Sequence, residues 1–181
     1  MSQSAGPQVP DLTDTTDLRS GPEIHQSLLA ILPLVGNWAG HGTGVKPESE
    51  ETFSYAQRVT FRHDGRPFLG YESHSWLLDP DGSVLRPAFR ENGFLRLAAA
   101  EDELELTLAS AAGIVEIFAG VAGDQRWEFA TSAVGFTPTA KQIGGERRLY
   151  ALTGAELGYV QELALHGTDY QPHLNARLVR Q

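Results

Sequence analysis

From Gly36 to the C-terminus, apolar and polar side chains alternate in short runs separated by turn residues. Alternate side chains of a strand point to opposite faces, so each run predicts a half-buried β-strand. Thr52 to Arg62 carries Phe53, Tyr55, Val59 and Phe61 on one side. The turn His63-Asp64-Gly65 leads to a restart at Arg66-Pro67-Phe68, and Tyr71 to Leu78 runs into a second turn, Asp79-Pro80-Asp81-Gly82. Asp-Gly between alternating runs is a strong hairpin signal. Glu103 to Leu108 alternates strictly. Gly113 to Gly120, Trp127 to Val134, Arg148 to Leu152, Leu157 to Leu165 and a last run from about His173 to Val179 follow. Roughly ten strands at this spacing predict an all-β fold. A long antiparallel meander favours closure, which removes exposed edges, so the expected architecture is an antiparallel up-and-down β-barrel.

The first strand is unusual. In Gly36-Asn37-Trp38-Ala39-Gly40-His41-Gly42, three glycines and a tryptophan share one face. Glycine weakens a strand, so three in register imply close approach of another backbone or a tight bend in a closing sheet. The indole beside them suggests a plug at one end of the barrel. Upstream, Pro22 and Glu23 open an apolar pattern of Ile24, Leu28, Leu29, Ile31 and Leu32 that Pro33 ends, which predicts a short N-terminal helix. Residues 1–20 are rich in Ser, Thr, Asp, Gln and Pro, and are expected to form a disordered tail ahead of one domain over 21–181.

Composition narrows the chemistry. The 181 residues carry 14 Lys and Arg against 23 Asp and Glu, a net charge of -9, which argues against a nucleic-acid or anionic-membrane surface. The chain has no cysteine, which excludes disulfides, thiolate metal sites, cysteine nucleophiles and covalent c-type haem attachment. No run reaches the length of a membrane span and the N-terminus has no secretory pattern, so a cytoplasmic protein is expected. There is no phosphate-binding loop motif, no zinc-spaced cluster and no hydrolase triad.

Several motifs, taken in order, resemble those of the nitrobindin family, haem-binding barrels of lipocalin and fatty-acid-binding-protein shape. Gly36-x-Trp38-x-Gly40-x-Gly42 is similar to the family's opening signature. Phe61 to Tyr71, carrying His63, Gly65, Pro67 and Leu69, is similar to a second segment, and Glu91-Asn92-Gly93-Phe94-Leu95-Arg96 to a third. Gly113-Ile114-x-Glu116, Pro138-Thr139-Ala140-Lys141 and Pro172-His173-Leu174-x-Ala176 complete the set, which spans about residues 24–180. The resemblance implies one ferric haem b per subunit at an open barrel end, held by a proximal His. It also implies isomerisation of peroxynitrite to nitrate and reversible nitric oxide binding at the same iron. The implied partners are small molecules, with a homodimer left open.

By that resemblance, His173 is the catalytic residue and the axial iron ligand. A proximal imidazole leaves the sixth position of the iron open. Periodicity points the other way. Leu174, Ala176 and Leu178 form the apolar row and His173 shares the opposite face, so a simple reading puts it outside; barrel interiors near an open mouth can be polar, and a bulge after Pro172 could re-aim it. Arg148 matches a haem-contacting position and could pair with a propionate; a solvated charge beside Arg147 is the equal alternative. Lys141 could act similarly, although a surface lysine is the simpler expectation. His41, His63 and His74 are expected to be structural or solvated. The chain departs from the family after the glycine motif: a Thr near the distal face becomes Glu48, with one residue inserted before Phe53. An acid there would bring negative charge toward the mouth. The alternatives are a haem-free barrel for lipid or another small apolar ligand, and a nitric oxide sensor or carrier without turnover.

Overall fold

In the computed structural model, which describes residues 14–99 and 102–181, ten antiparallel strands form a closed barrel. They are β1 (Gly36–Val45), β2 (Thr52–Arg62), β3 (Leu69–Leu78), β4 (Val84–Leu97), β5 (Glu103–Ser110), β6 (Ile114–Gly123), β7 (Arg126–Phe136), β8 (Ile143–Thr153), β9 (Glu156–Leu165) and β10 (Gln171–Arg180). Each strand pairs with its sequence neighbours, and β1 pairs with β10 to close the cylinder. This is the up-and-down barrel expected from the alternation. The core is the set of inward rows, including Val59 and Phe61 on β2, Leu104, Leu106 and Leu108 on β5, and Ala176 and Leu178 on β10.

The boundary of β4 is the element the pattern concealed. Its first seven residues, Val84 to Arg90, are all exposed, and only Glu91 and Leu95 are buried. A strand that reaches beyond the core has no apolar row to mark it. The restart at Arg66 to Phe68 is also not a strand: β3 begins at Leu69, and Phe68 instead packs on Phe94 at 5.2 Å.

One end of the barrel is closed by a 3-10 helix, Gln26–Leu34, that includes Pro33 instead of stopping before it. Leu28, Ile31 and Leu34 are fully buried at a spacing of three, the period that a 3-10 helix places on one face. The two buried indoles satisfy carbonyls of this helix: Trp38 Nε1 donates to Leu34 O at 2.7 Å, and Trp127 Nε1 donates to Ala30 O at 2.8 Å. Arg180, its guanidinium 4.2 Å over Trp38, donates to Pro33 O and Val35 O. The glycine strand makes room for this closure. A Cβ on Gly40 would lie 1.9 Å from Arg177 O of β10, and one on Gly42 would lie 2.8 Å from the Tyr55 ring.

Of the expected tail, residues 1–13 lie outside the described residues. Thr15 pairs with His63 through two backbone hydrogen bonds, and Arg62 holds Asp14 at 2.9 Å, so residues 14–20 lie against the barrel's closed end.

Candidate functional site

The opposite end is open. Here β1 ends at Val45, β2 begins at Thr52, and β10 begins at Gln171. The wall is less covered than the core. Phe53, Leu77, Val134 and Phe136 sit at inward register positions and are only half-buried, whereas Tyr55, deeper on the row of Phe53, and Phe118, deeper on the neighbouring strand β6, are fully buried. The mouth therefore presents apolar surface that the chain's own side chains do not cover.

His173 lies at this rim. The β9–β10 register slips between Pro172 and Leu174, so His173 is the extra residue of a β-bulge. The apolar row Leu174, Ala176 and Leu178 keeps its inward pairing with β1, and the bulge turns the imidazole in beside it. His173 Nδ1 lies 2.8 Å from Val45 O, and the ring meets the Phe53 ring edge-on at 6.5 Å. A carbonyl can only accept, so Nδ1 carries the hydrogen and, in the neutral ring, Nε2 carries the lone pair. Fixing one ring nitrogen on a backbone carbonyl is how ligating histidines are oriented. The donor chemistry and the uncovered apolar wall both fit a large flat apolar group with an imidazole-seeking metal, such as haem.

Below the mouth the interior is polar. Arg148 is fully buried and is held by two carboxylates: Nη1 and Nη2 bond Glu91 at 2.5 and 2.9 Å, and Nε and Nη2 bond Glu146 at 2.8 and 2.6 Å. It is therefore no solvated charge beside Arg147, and all three of its nitrogens are already engaged by carboxylates. Burial works against its charge, but Glu146 and Glu91 hold it firmly protonated. The Tyr71 hydroxyl donates to Glu91 at 2.8 Å and lies 3.0 Å from the Tyr150 hydroxyl. Burial first, with Glu91 adding to it and Arg148 working against it, pushes both phenols well above their usual range. The third carboxyl, Glu116, touches no cation and meets the Thr131 hydroxyl at 2.9 Å. Burial, then the nearby Glu146, pushes it up to about 7. Glu146 is also raised, by burial first, and the electrostatic influence of His173 reaches it.

This cluster had a sequence signal that reading by motif passed over. Glu116 lies between Ile114 and Phe118 on an inward row, and Arg148 lies beside Tyr150. A charge in register with apolar neighbours is a buried charge. The β7–β8 ladder stops at Ala130 and Arg147, and beyond it Thr131 bridges to the backbone of Glu146, leaving the strands free to diverge toward the mouth.

The other candidates lie elsewhere. Lys141 is exposed and pairs with Glu48 at 2.7 Å, linking the β7–β8 and β1–β2 loops. That pairing compensates the negative charge that Glu48 brings to the rim. His41 is exposed, on the face away from Trp38. His74 stacks on Trp76 and bonds Glu72 at 2.9 Å. His63 is buried, with neither ring nitrogen partnered among the described residues. Gly36, Trp38, Gly40 and Gly42 stand in the strand that starts at the closed end. Among the described residues no group of three or more His, Cys, Asp or Glu side chains is placed to hold a metal ion, and no helix is long and apolar enough to cross a membrane.

Residues 27–180 match the family described as the THAP4-like, heme-binding beta-barrel domain. The chain is 45% identical over 174 residues to a ferric nitrobindin-like protein of Saccharopolyspora erythraea, covering 95% of this chain and 82% of that one. It is 43% identical over 171 residues to a peroxynitrite isomerase of Salinispora arenicola, covering 92% and 87%. Among solved structures, Rv2717c from M. tuberculosis is similar with a TM-score of 0.76 and 35% identity, over 88% of this chain and 99% of that one.

Proposed function

Because the chain belongs to the THAP4-like haem-binding β-barrel family, we propose that it binds one haem b at the open mouth, with His173 as the axial ligand, and isomerises peroxynitrite to nitrate. The observation that carries this is the imidazole of His173, turned in by a bulge, fixed through Nδ1 on Val45 O and left with Nε2 free beside uncovered apolar wall. The relatives named peroxynitrite isomerase support the reaction. The bound ferric iron would supply the open coordination position at which the oxidant rearranges, with no net electron required.

The chain's own residues have three tasks in this scheme. His173 and Val45 set the tautomer and hold the ring against rotation. Phe53, Leu77, Val134 and Phe136 supply apolar contact and keep bulk water from the face they cover. Arg148, with Glu91 and Glu146, fixes the wall beneath the site, a support rather than a propionate contact. Reversible nitric oxide binding belongs to the same proposal, as does a soluble cytoplasmic setting with small-molecule partners only.

The test is hemin titration of the purified protein. Wild type is expected to develop a Soret band at one equivalent, and His173→Ala to lose or strongly shift it. Stopped-flow decay of peroxynitrite, with nitrate as product, then separates an isomerase from a carrier that only binds nitric oxide. Absence of any haem uptake would end the proposal and favour a barrel for lipid or another apolar ligand.

A further inference from the structure

The interior holds three carboxyls, Glu91, Glu116 and Glu146, against one guanidinium, Arg148. Arg148 is shared between Glu91 and Glu146 and makes no hydrogen bond to Glu116. Two buried negative charges would be uncompensated if all three acids ionised, a state that a low-dielectric interior resists strongly.

The hydrogen bonds of Thr131 locate the missing proton. Its Oγ1 accepts from Glu146 N at 2.8 Å and lies 3.1 Å from Glu146 O and 2.9 Å from Glu116 Oε1. The hydroxyl has one hydrogen and two lone pairs. With Glu116 ionised, that single hydrogen faces two oxygens that can only accept, and one contact becomes a repulsion. With Glu116 protonated, every contact has a donor. Glu146 N–H donates to Oγ1, Oγ1–H donates to Glu146 O, and the carboxyl O–H of Glu116 donates to Oγ1. The pattern is complete in one protonation state only.

We propose that Glu116 is a proton-carrying acid of the barrel interior, whose proton governs how well the mouth accepts an anion. Glu116 stands on β6 across from Thr131 and Val134 of β7. The charged groups around it are Glu146 and Arg148 on β8 and Glu91 on β4, and Glu146 in turn lies within the electrostatic reach of His173. Loss of the proton adds a full negative charge to the wall below the mouth. An anion entering beside His173 then meets repulsion that the protonated cluster does not exert. The upward displacement of this carboxyl to about 7 places the change where modest shifts in pH would be felt. The proton argument stands on Thr131 and the charge count. The link to anion binding rests on the haem reading above.

The two parts have separate tests. Infrared difference spectra of the apo protein across a pH titration should show the carbonyl stretch of a protonated carboxyl, shifted in D2O and lost as pH rises through about 7. The band should vanish in Glu116→Gln and move to a weaker-hydrogen-bonded position in Thr131→Val, two variants that preserve side-chain volume. No such band, or its persistence in Glu116→Gln, overturns the assignment whether or not haem binds. With hemin-loaded protein, the affinity for azide should fall roughly tenfold between about pH 6 and about pH 8 in wild type beyond the change seen in Glu116→Gln. Identical profiles for the two proteins overturn the coupling. Failure to take up hemin bears on the haem proposal alone.

Discussion

Replacing Arg148 by Met keeps most of the side-chain volume but removes the only cation among three interior carboxyls. Arg148 makes four hydrogen bonds, two to Glu91 and two to Glu146, at 2.5 to 2.9 Å, and none of the three side chains is appreciably exposed. Removing one partner from such a group leaves uncompensated buried charge, and comparable deletions cost about 3–5 kcal/mol. That is a large share of the roughly 5–15 kcal/mol that holds a typical domain together. The loss must depend on pH. Arg148 opposes the upward push of burial on Glu146, so without the guanidinium the folded protein retains a proton there to a higher pH than the unfolded chain does. Stability of the variant is therefore greatest in acid and falls as pH rises. Urea unfolding of wild type and Arg148→Met at about pH 5 and about pH 8 should show the deficit widening toward the higher pH. Adding Glu91→Gln and Glu146→Gln to Arg148→Met should recover part of it. A deficit below about 1 kcal/mol, the level of an exposed ion pair, or one that does not change with pH, would refute the argument.

Further outcomes follow from other parts of the barrel. Glu116 is raised from 4.5 to about 7 in the folded protein, so wild-type stability is fully supported below about pH 4.5 by this group and is lost up to about pH 7, and Glu116→Gln should flatten that slope in urea titrations. Gly40→Ala should destabilise by roughly 2–3 kcal/mol, because its Cβ would sit 1.9 Å from a backbone oxygen that cannot rotate away; thermal unfolding that matches wild type would show the strand pair to be more pliant than this. Trp38→Phe should cost about 1–3 kcal/mol by stranding the Leu34 carbonyl, as read from chemical denaturation. Lys141→Ala should change stability by less than about 1 kcal/mol, since its pairing with Glu48 is exposed, and any effect on hemin affinity should shrink with added salt.

Glu48, in the loop after the glycine strand, is bonded to Lys141 across the rim, so this acid is held by a cation from another loop. The charge of Glu48 is thus compensated, leaving the interior carboxyls as the main source of negative charge below the mouth.

Alternation alone determined that the chain is a closed meander of strands, because a side-chain period of two is a local property and every inward row had to find a core. It also foretold the plug at Trp38, since missing side chains beside an indole have few other uses. The 3-10 form of the helix and the exposed start of β4 were hidden, the first because its period differs from three-point-six, the second because it buries nothing. What only the tertiary structure decided is the site. The direction of His173 depends on one extra residue in the β9–β10 register, which reverses the face that alternation assigns. The meeting of Glu91, Glu116, Glu146 and Arg148 depends on closure, which brings β4, β6 and β8 around one interior. Sequence marks Glu116 and Arg148 as charges beside apolar neighbours on an inward row. Only the fold decides which ones neutralise each other and which must keep a proton.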